Sequence, residues 1–167
     1  MAFKEYVDAL AKELGVQIET EGDACAVSLG ADDGERVDIL MLGFDERGVL
    51  LTCADLCEPP PEGKERLFQT LLEANDLYGD TAGATLSMNR ETGRVRLQRF
   101  DDIDTLAKIG SAKTLIAFAD TAAAWKKIIA DYRDTPRERA ADAAGDVSAA
   151  NPDGTGGNFR TGGFMQV

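Results

Sequence analysis

The change of hydrophobic period at Gly79 constrains the fold of this chain more than any other feature. Before it, Leu71, Leu72, Asn75 and Tyr78 keep helical spacing. After it, Ala84, Leu86 and Met88 alternate with Thr85, Ser87 and Asn89, the two-residue repeat of a strand with one buried face. Gly79 is placed to end the helix in a left-handed conformation. Asn89 to Gly93 supplies a hairpin turn with Gly93 at its left-handed position. In the return strand Val95 and Leu97 share a parity with Arg99, while Arg94, Arg96 and Gln98 form a wet, cationic face. A hairpin alone is not stable in water, so residues 71–100 require the preceding helix and a further partner to cover their apolar side.

The flanking segments supply candidates. Phe3, Tyr6, Val7, Leu10 and Leu14 form one helical stripe, and Gly15 follows as a stop. From Val16 to Glu58 the pattern becomes short strands, expected at Gln17–Thr20, Cys25–Leu29, Arg36–Phe44 and Val49–Cys57. The turns ADDGE and DERG lie between the last three, which implies an antiparallel meander. Leu40, Met41 and Leu42 are apolar on both parities, as are Val49, Leu50 and Leu51. One face of these strands can pack on helices; the other is either more core or an interaction face. Pro59, Pro60 and Pro61 end the sheet run. A second helix is expected over Glu62–Tyr78, with Leu67, Phe68, Leu71, Leu72 and Leu77 as its apolar stripe. Ile103–Ile109 reads as a short helix. Ser111 caps a longer one through Leu115, Phe118, Ala122, Trp125, Ile129 and Tyr132, in which Trp125 and Tyr132 are core anchors.

The expected architecture is therefore α+β: helix, antiparallel three-stranded meander, helix, β-hairpin, C-terminal helix, in one domain over residues 1–133. Residues 134–167 are rich in Gly, Ala and Asp, with Pro136 and Pro152 as breakers. Their apolar surface is too small to offset the entropy of ordering, so this tail is expected to be disordered. Phe159, Phe164, Met165 and Val167 stand in it as isolated apolar beads.

Composition excludes several classes of function. A formal net charge of -12 argues against nucleic acid and favours a basic or amphipathic partner. Histidine is absent, which removes the commonest general base and metal ligand. Cys25, Cys53 and Cys57 fit neither a disulfide framework nor a four-ligand zinc site, and are read as small buried apolar residues of a protein in a reducing compartment. The loop after Gly79 sits at a helix C-terminus rather than an N-terminus, and no Gly-Lys-Ser/Thr follows, so it is not a phosphate loop. No catalytic constellation, cofactor site or metal site is legible, and no enzyme is expected. The N-terminus carries Lys4, Glu5 and Asp8 and lacks a signal-peptide core, and no run is long enough to span a bilayer, so a cytoplasmic protein without membrane insertion is expected.

The second helix and hairpin, LLEANDLYGDTAGATLSMNRETGRVRLQRF, together with the first helix FKEYVDALAKELG, resemble the type III secretion chaperones of the Tir-chaperone (CesT-like) family. The likeness covers roughly residues 1 to 133. It implies a homodimer that binds the unfolded N-terminal segment of a secreted effector and keeps it secretion-competent without nucleotide hydrolysis. It also implies a dimer interface on the second helix and the hairpin, here Phe68, Leu71, Leu72, Asn75 and Leu86. The effector-binding grooves would draw on Phe3, Val7, Leu10, Leu40, Leu42, Phe44 and Leu50. The long tail departs from the family pattern. The alternative is a protein-interaction module of the same fold, regulatory or stress-related and unconnected to secretion, because a fold does not fix its partner.

Overall fold

The computed structural model describes residues 1–31 and 34–134. The tail expected at 134–167, with its beads Phe159, Phe164, Met165 and Val167, lies outside the described residues from 135 onward.

Among the described residues, four α-helices and six strands follow one another as α1 (Phe3–Leu14), β1 (Thr20–Glu21), β2 (Ala24–Gly30), β3 (Arg36–Phe44), β4 (Val49–Asp55), α2 (Lys64–Ala74), β5 (Thr85–Met88), β6 (Val95–Asp102), α3 (Ile103–Ile109) and α4 (Ser111–Asp134). The strands form a single antiparallel sheet in the order β1-β2-β3-β4-β6-β5. The first four strands meander. The chain then leaves through the proline run and α2, and returns as β5 at the far edge. β6 folds back between β5 and β4, so the hairpin extends the meander rather than forming a separate layer.

Alternation decides what the sheet buries. Along β3, Val37, Ile39, Met41 and Gly43 point inward, and the opposite parity faces away, with Leu40 and Phe44 exposed and Leu42 half-buried. The inward set joins Phe3, Tyr6, Val7 and Leu10 of α1, Leu67 and Leu71 of α2, Ile103 of α3, and Phe118, Trp125 and Ile129 of α4 in one core. All four helices thus gather on the same side of the sheet. Polar groups inside this layer are paired: Arg99 Nε donates to Asp101 at 2.7 Å, and the Arg99 guanidinium stands 5.8 Å from the centre of the Phe118 ring. Burial pushes the Tyr6 hydroxyl up to about 12, partly offset by its hydrogen bond with Ser111.

Contact between α1 and the sheet is unusually close at Gly43. A Cβ built there would lie 2.4 Å from both Cβ and Cγ of Phe3. The start of α1 is held in this position by carboxylates from either side. Phe3 N–H donates to Asp45 Oδ1 at 2.7 Å, and Ala2 N–H donates to Glu5 Oε2 at 3.1 Å. Two of the unpaired donors at the helix start are thereby satisfied, one of them by a residue far away in sequence.

The expected strand Arg36–Phe44 and the short helix Ile103–Ile109 match the structure residue for residue. The second helix is shorter than Glu62–Tyr78. It closes at Ala74, and the following turn places Leu77 at φ 55° and Tyr78 at φ 56° while Gly79 stays right-handed at φ -62°. The left-handed corner expected at the glycine is therefore carried by the two residues before it. The reason is tertiary, since Asn75 and Trp125 fix both ends of this segment.

Candidate functional site

Because every described helix lies on one side, the other face of the sheet is left without a layer among the described residues. Cross-strand register places its residues. Ala24, Leu42, Leu51 and Phe100 are successive partners across β2, β3, β4 and β6. They form an apolar row that spans three strand spacings, about 14 Å. Phe44 and Val49 pair beside this row. The Phe44 and Phe100 rings stand 6.3 Å apart, centre to centre, at 39°. Leu40 and Cys53 pair on its other side. Leu40 is 37%, Phe44 39% and Phe100 61% exposed, so this is an apolar surface and not a second core.

The ends of that surface are charged. Asp38 of β3 lies toward one end together with Asp55 and Arg96, and Asp102 of β6 lies at the other beside Val49. Arg96 Nε donates to Asp55 Oδ1 at 2.6 Å. Asn89 Nδ2 and Thr92 Oγ1 donate to Asp55 Oδ2 at 2.8 and 3.4 Å, so one carboxylate ties the tip of the β5–β6 hairpin to β4. Gly93, at φ 67°, closes that tip as expected. Burial alone would raise the Asp55 carboxyl, but the hydrogen bonds from Arg96, Asn89 and Thr92 outweigh it and hold the group below its ordinary value.

A depressed folded-state value contributes stability above the unfolded value, and that stability is lost as pH falls through the folded value. The hairpin tip is therefore expected to loosen as the solution is acidified below about pH 4, the ordinary carboxylate range. Amide exchange at residues 89–94 measures it. Asp55→Asn should remove most of this acid dependence. An unchanged profile in that variant would assign the dependence to other carboxylates.

Burial pushes the Cys25 thiol up to about 11, and it raises Cys53, so both stay protonated near neutral pH. Among the described residues no group of three His, Cys, Asp or Glu side chains is placed to hold a metal ion. No described helix is long and apolar enough to cross a membrane.

The structure divides the seven residues expected to line a binding groove. Leu40, Leu42 and Phe44 lie together on the uncovered face, whereas Phe3, Val7, Leu10 and Leu50 are buried in the subunit's own core. The stripe on α1 is consumed by the sheet beneath it, so α1 contributes no apolar lining through these positions. Phe100, Leu51 and Val49 complete the face instead. Their signal was present in sequence as apolar residues on the non-core parity of neighbouring strands, but only the register joins β6 to β4.

The five residues expected at a dimer interface divide as well. Leu72 is 71% exposed and Phe68 half-buried, while Leu71 and Leu86 are core. Asn75 Nδ2 donates to Leu86 O at 3.0 Å, and Leu86 N–H donates to Asn75 Oδ1 at 2.8 Å. This side chain imitates a neighbouring strand and closes the β5 edge at Leu86. At the opposite edge, β1 pairs only with Ala24 and Cys25, which leaves the outer side of β2 from Ala26 to Gly30 without a paired strand among the described residues.

The fold recurs in solved structures. One chain of the HopA1-SchA chaperone-effector complex superposes with a TM-score of 0.56 at 17% identity, covering 80% of this chain and 94% of that one. A chain of the ExsC-ExsE complex superposes with a TM-score of 0.59 at 23% identity, covering 77% and 97%. No curated protein sequence matches the chain. In sequence, residues 5–126 match the Tir chaperone protein (CesT) family, a span from the first turn of α1 through the first two thirds of α4 that includes the whole sheet. The chain belongs to the Tir chaperone protein (CesT) family.

Proposed function

We propose that this protein is a type III secretion chaperone, which binds the unfolded N-terminal segment of a secreted effector and keeps it soluble without hydrolysing nucleotide. The observation that carries this reading is the uncovered apolar face of the sheet. An extended segment of an effector has apolar side chains that lack a core until the effector folds, and a row of about 14 Å offers places for several of them. Asp38 and Asp102 at the rim, in a chain of net charge -12, suit a client with basic residues flanking its apolar ones. The open edge of β2 adds main-chain donors and acceptors, which fits an extended client better than a folded one. Ordering such a segment has a large entropic cost, so a wide contact surface is required.

The working unit in this proposal is a homodimer in the cytoplasm. Phe68 and Leu72 supply its contact surface on α2, with Met88 of β5 exposed nearby in the chain's α2–β5 half. A dimer offers two copies of the client face at fixed spacing.

Hydrogen exchange tests the reading directly. The full chain is co-purified with a protein of its own cytosol, the bound segment is mapped by limited proteolysis, and exchange is compared with the free chaperone. The expected result is an N-terminal segment protected from protease, together with slowed exchange along β2, β3 and β4. A folded partner held through its surface, with no change along these strands, would favour the regulatory module instead.

A further inference from the structure

The two ends of the uncovered face differ in what their carboxylates have left to offer. At the hairpin end Asp55 already accepts from Arg96, Asn89 and Thr92, so a further cation there would compete with bonds the subunit itself makes. At the other end Asp102 follows Phe100 on the same parity of β6 and stands opposite Val49, which in turn stands opposite Phe44. Backbone spacing puts Asp102 about 7 Å from Phe100 along the strand and about 5 Å from Val49 across it. The Phe44 ring closes this corner, 6.3 Å from the Phe100 ring.

The chemistry of the corner selects a cation. Asp102 is exposed, and its Oδ1 accepts from Thr105 N–H and Thr105 Oγ1 at 2.8 Å each, while its Oδ2 accepts no hydrogen bond among the described residues. The bonds from Thr105 hold the carboxyl below its ordinary value, so it is charged throughout the neutral range. Phe100 is 61% exposed, and an exposed ring offers a cation the negative face of its quadrupole. Asp45 and Glu46, against Arg47 alone, add negative charge in the turn after β3. That turn adjoins the corner, since Ile103 N–H donates to Gly48 O at 2.9 Å. The nearby guanidinium of Arg99 does not fill the corner, because it lies on the core parity with Asp101 and Phe118.

We infer that Phe44, Phe100 and Asp102 form a seat for an arginine side chain of the client, next to the apolar residues that lie along Leu42 and Leu51. The inference rests on the client face proposed above and fixes one end of it. A planar guanidinium can stack on a ring while its outer N–H groups bond a carboxylate, which suits this corner better than the compact ammonium of lysine. A client is thereby oriented, because the carboxylate at the hairpin end is already bonded within the subunit.

Two amidated synthetic peptides of alternating Leu and Ser test the seat, one ending in arginine and the other in citrulline, its neutral analogue. Each is titrated to millimolar concentration into the isotope-labelled full chain, at about 0.15 M salt to screen long-range attraction, and backbone amide shifts give the affinity. The arginine peptide should bind at least about 10-fold more tightly, with its largest shifts at Phe44, Phe100 and Asp102. Asp102→Asn removes the charge and keeps the α3 cap, since Asn and Asp cap equally well. Phe44→Leu with Phe100→Leu removes the rings and keeps an apolar surface. Both should leave the urea midpoint at its wild-type value and reduce the arginine preference to less than about 3-fold. Asp102→Asn alters one charge in a chain of net charge -12, so a preference due to overall charge would survive it. Persistence of the preference in either variant refutes the seat. Equal affinity of the two peptides for the wild type also refutes it and leaves the apolar face as the client site. If neither peptide shifts any resonance of β3, β4 or β6, the face does not take extended apolar segments, and the client reading and the seat fail together.

Discussion

Gly43→Ala should destabilise the subunit by about 3 kcal/mol, the upper part of the range for an overfilled core. The added methyl would meet Phe3 at its Cβ and Cγ, at 2.4 Å, close to the helix backbone rather than at the free end of a flexible side chain. Rotating the Phe3 ring does not move those atoms far. Relief requires lifting the first turn of α1, which disturbs the Phe3 N–H bond to Asp45 and the packing of Tyr6 and Val7 beneath it. Phe3→Ala alone opens a cavity in the same place and should cost about 3 to 5 kcal/mol. In the double variant Phe3→Ala, Gly43→Ala the contacts to Cγ and Cδ2 are gone while the equally close contact to Cβ remains, so the combined loss should fall short of the sum. Urea unfolding of the four proteins measures the cycle. A Gly43→Ala midpoint equal to the wild type, or simple additivity in the double variant, would show that α1 does not rest on Gly43 as described.

The second large effect concerns client capture. Phe44→Asp combined with Phe100→Asp should weaken binding of the effector segment at least about 30-fold, the effect of losing about 2 kcal/mol at a binding hot spot. These two rings meet at 6.3 Å on the uncovered face and project from it, so they contribute little to the subunit's own core. The urea midpoint should therefore change by less than about 1 kcal/mol. Association of the purified segment, followed by titration calorimetry, gives the affinity. Full affinity in a correctly folded double variant would move the client site away from this face, leaving the open edge of β2 as the remaining candidate surface. Charge alone is an insufficient explanation of the loss, and Phe44→Ala with Phe100→Ala should reproduce most of it.

These predictions draw on different amounts of sequence information. The face that binds helices was legible, because the alternation in β3 and the stripe Phe3, Tyr6, Val7 and Leu10 each follow one period. The uncovered face was half legible. Leu40, Leu42 and Phe44 belong to the non-core parity of one strand, but Phe100 joins them only through the placement of β6 beside β4. Nothing local in residues 95–102 states which strand will be their neighbour. The assignment of α1 residues to a groove failed for a related reason. An amphipathic stripe reports that one side will be covered and does not say by what.

The same distinction runs through the loop after α2. Sequence placed a left-handed corner at Gly79, since glycine adopts it freely. Bonds from Asn75 to β5 and from Trp125 to Asp80 override that preference and shift the corner onto Leu77 and Tyr78. Local propensity at one residue amounts to about 1 kcal/mol, less than the combined hold of several hydrogen bonds on the loop's ends.

The sequence by itself determined the α+β class, most strand and helix positions, the parity of each strand and the absence of a legible catalytic constellation, because these depend on periods of two and 3.6 residues within short windows. Only the tertiary structure decided the strand order, the gathering of all helices on one side, the closing of the β5 edge by Asn75 and the exposure of Leu77. Each of these joins residues separated by 11 positions or more, and no local pattern encodes which distant surface will complete a buried one.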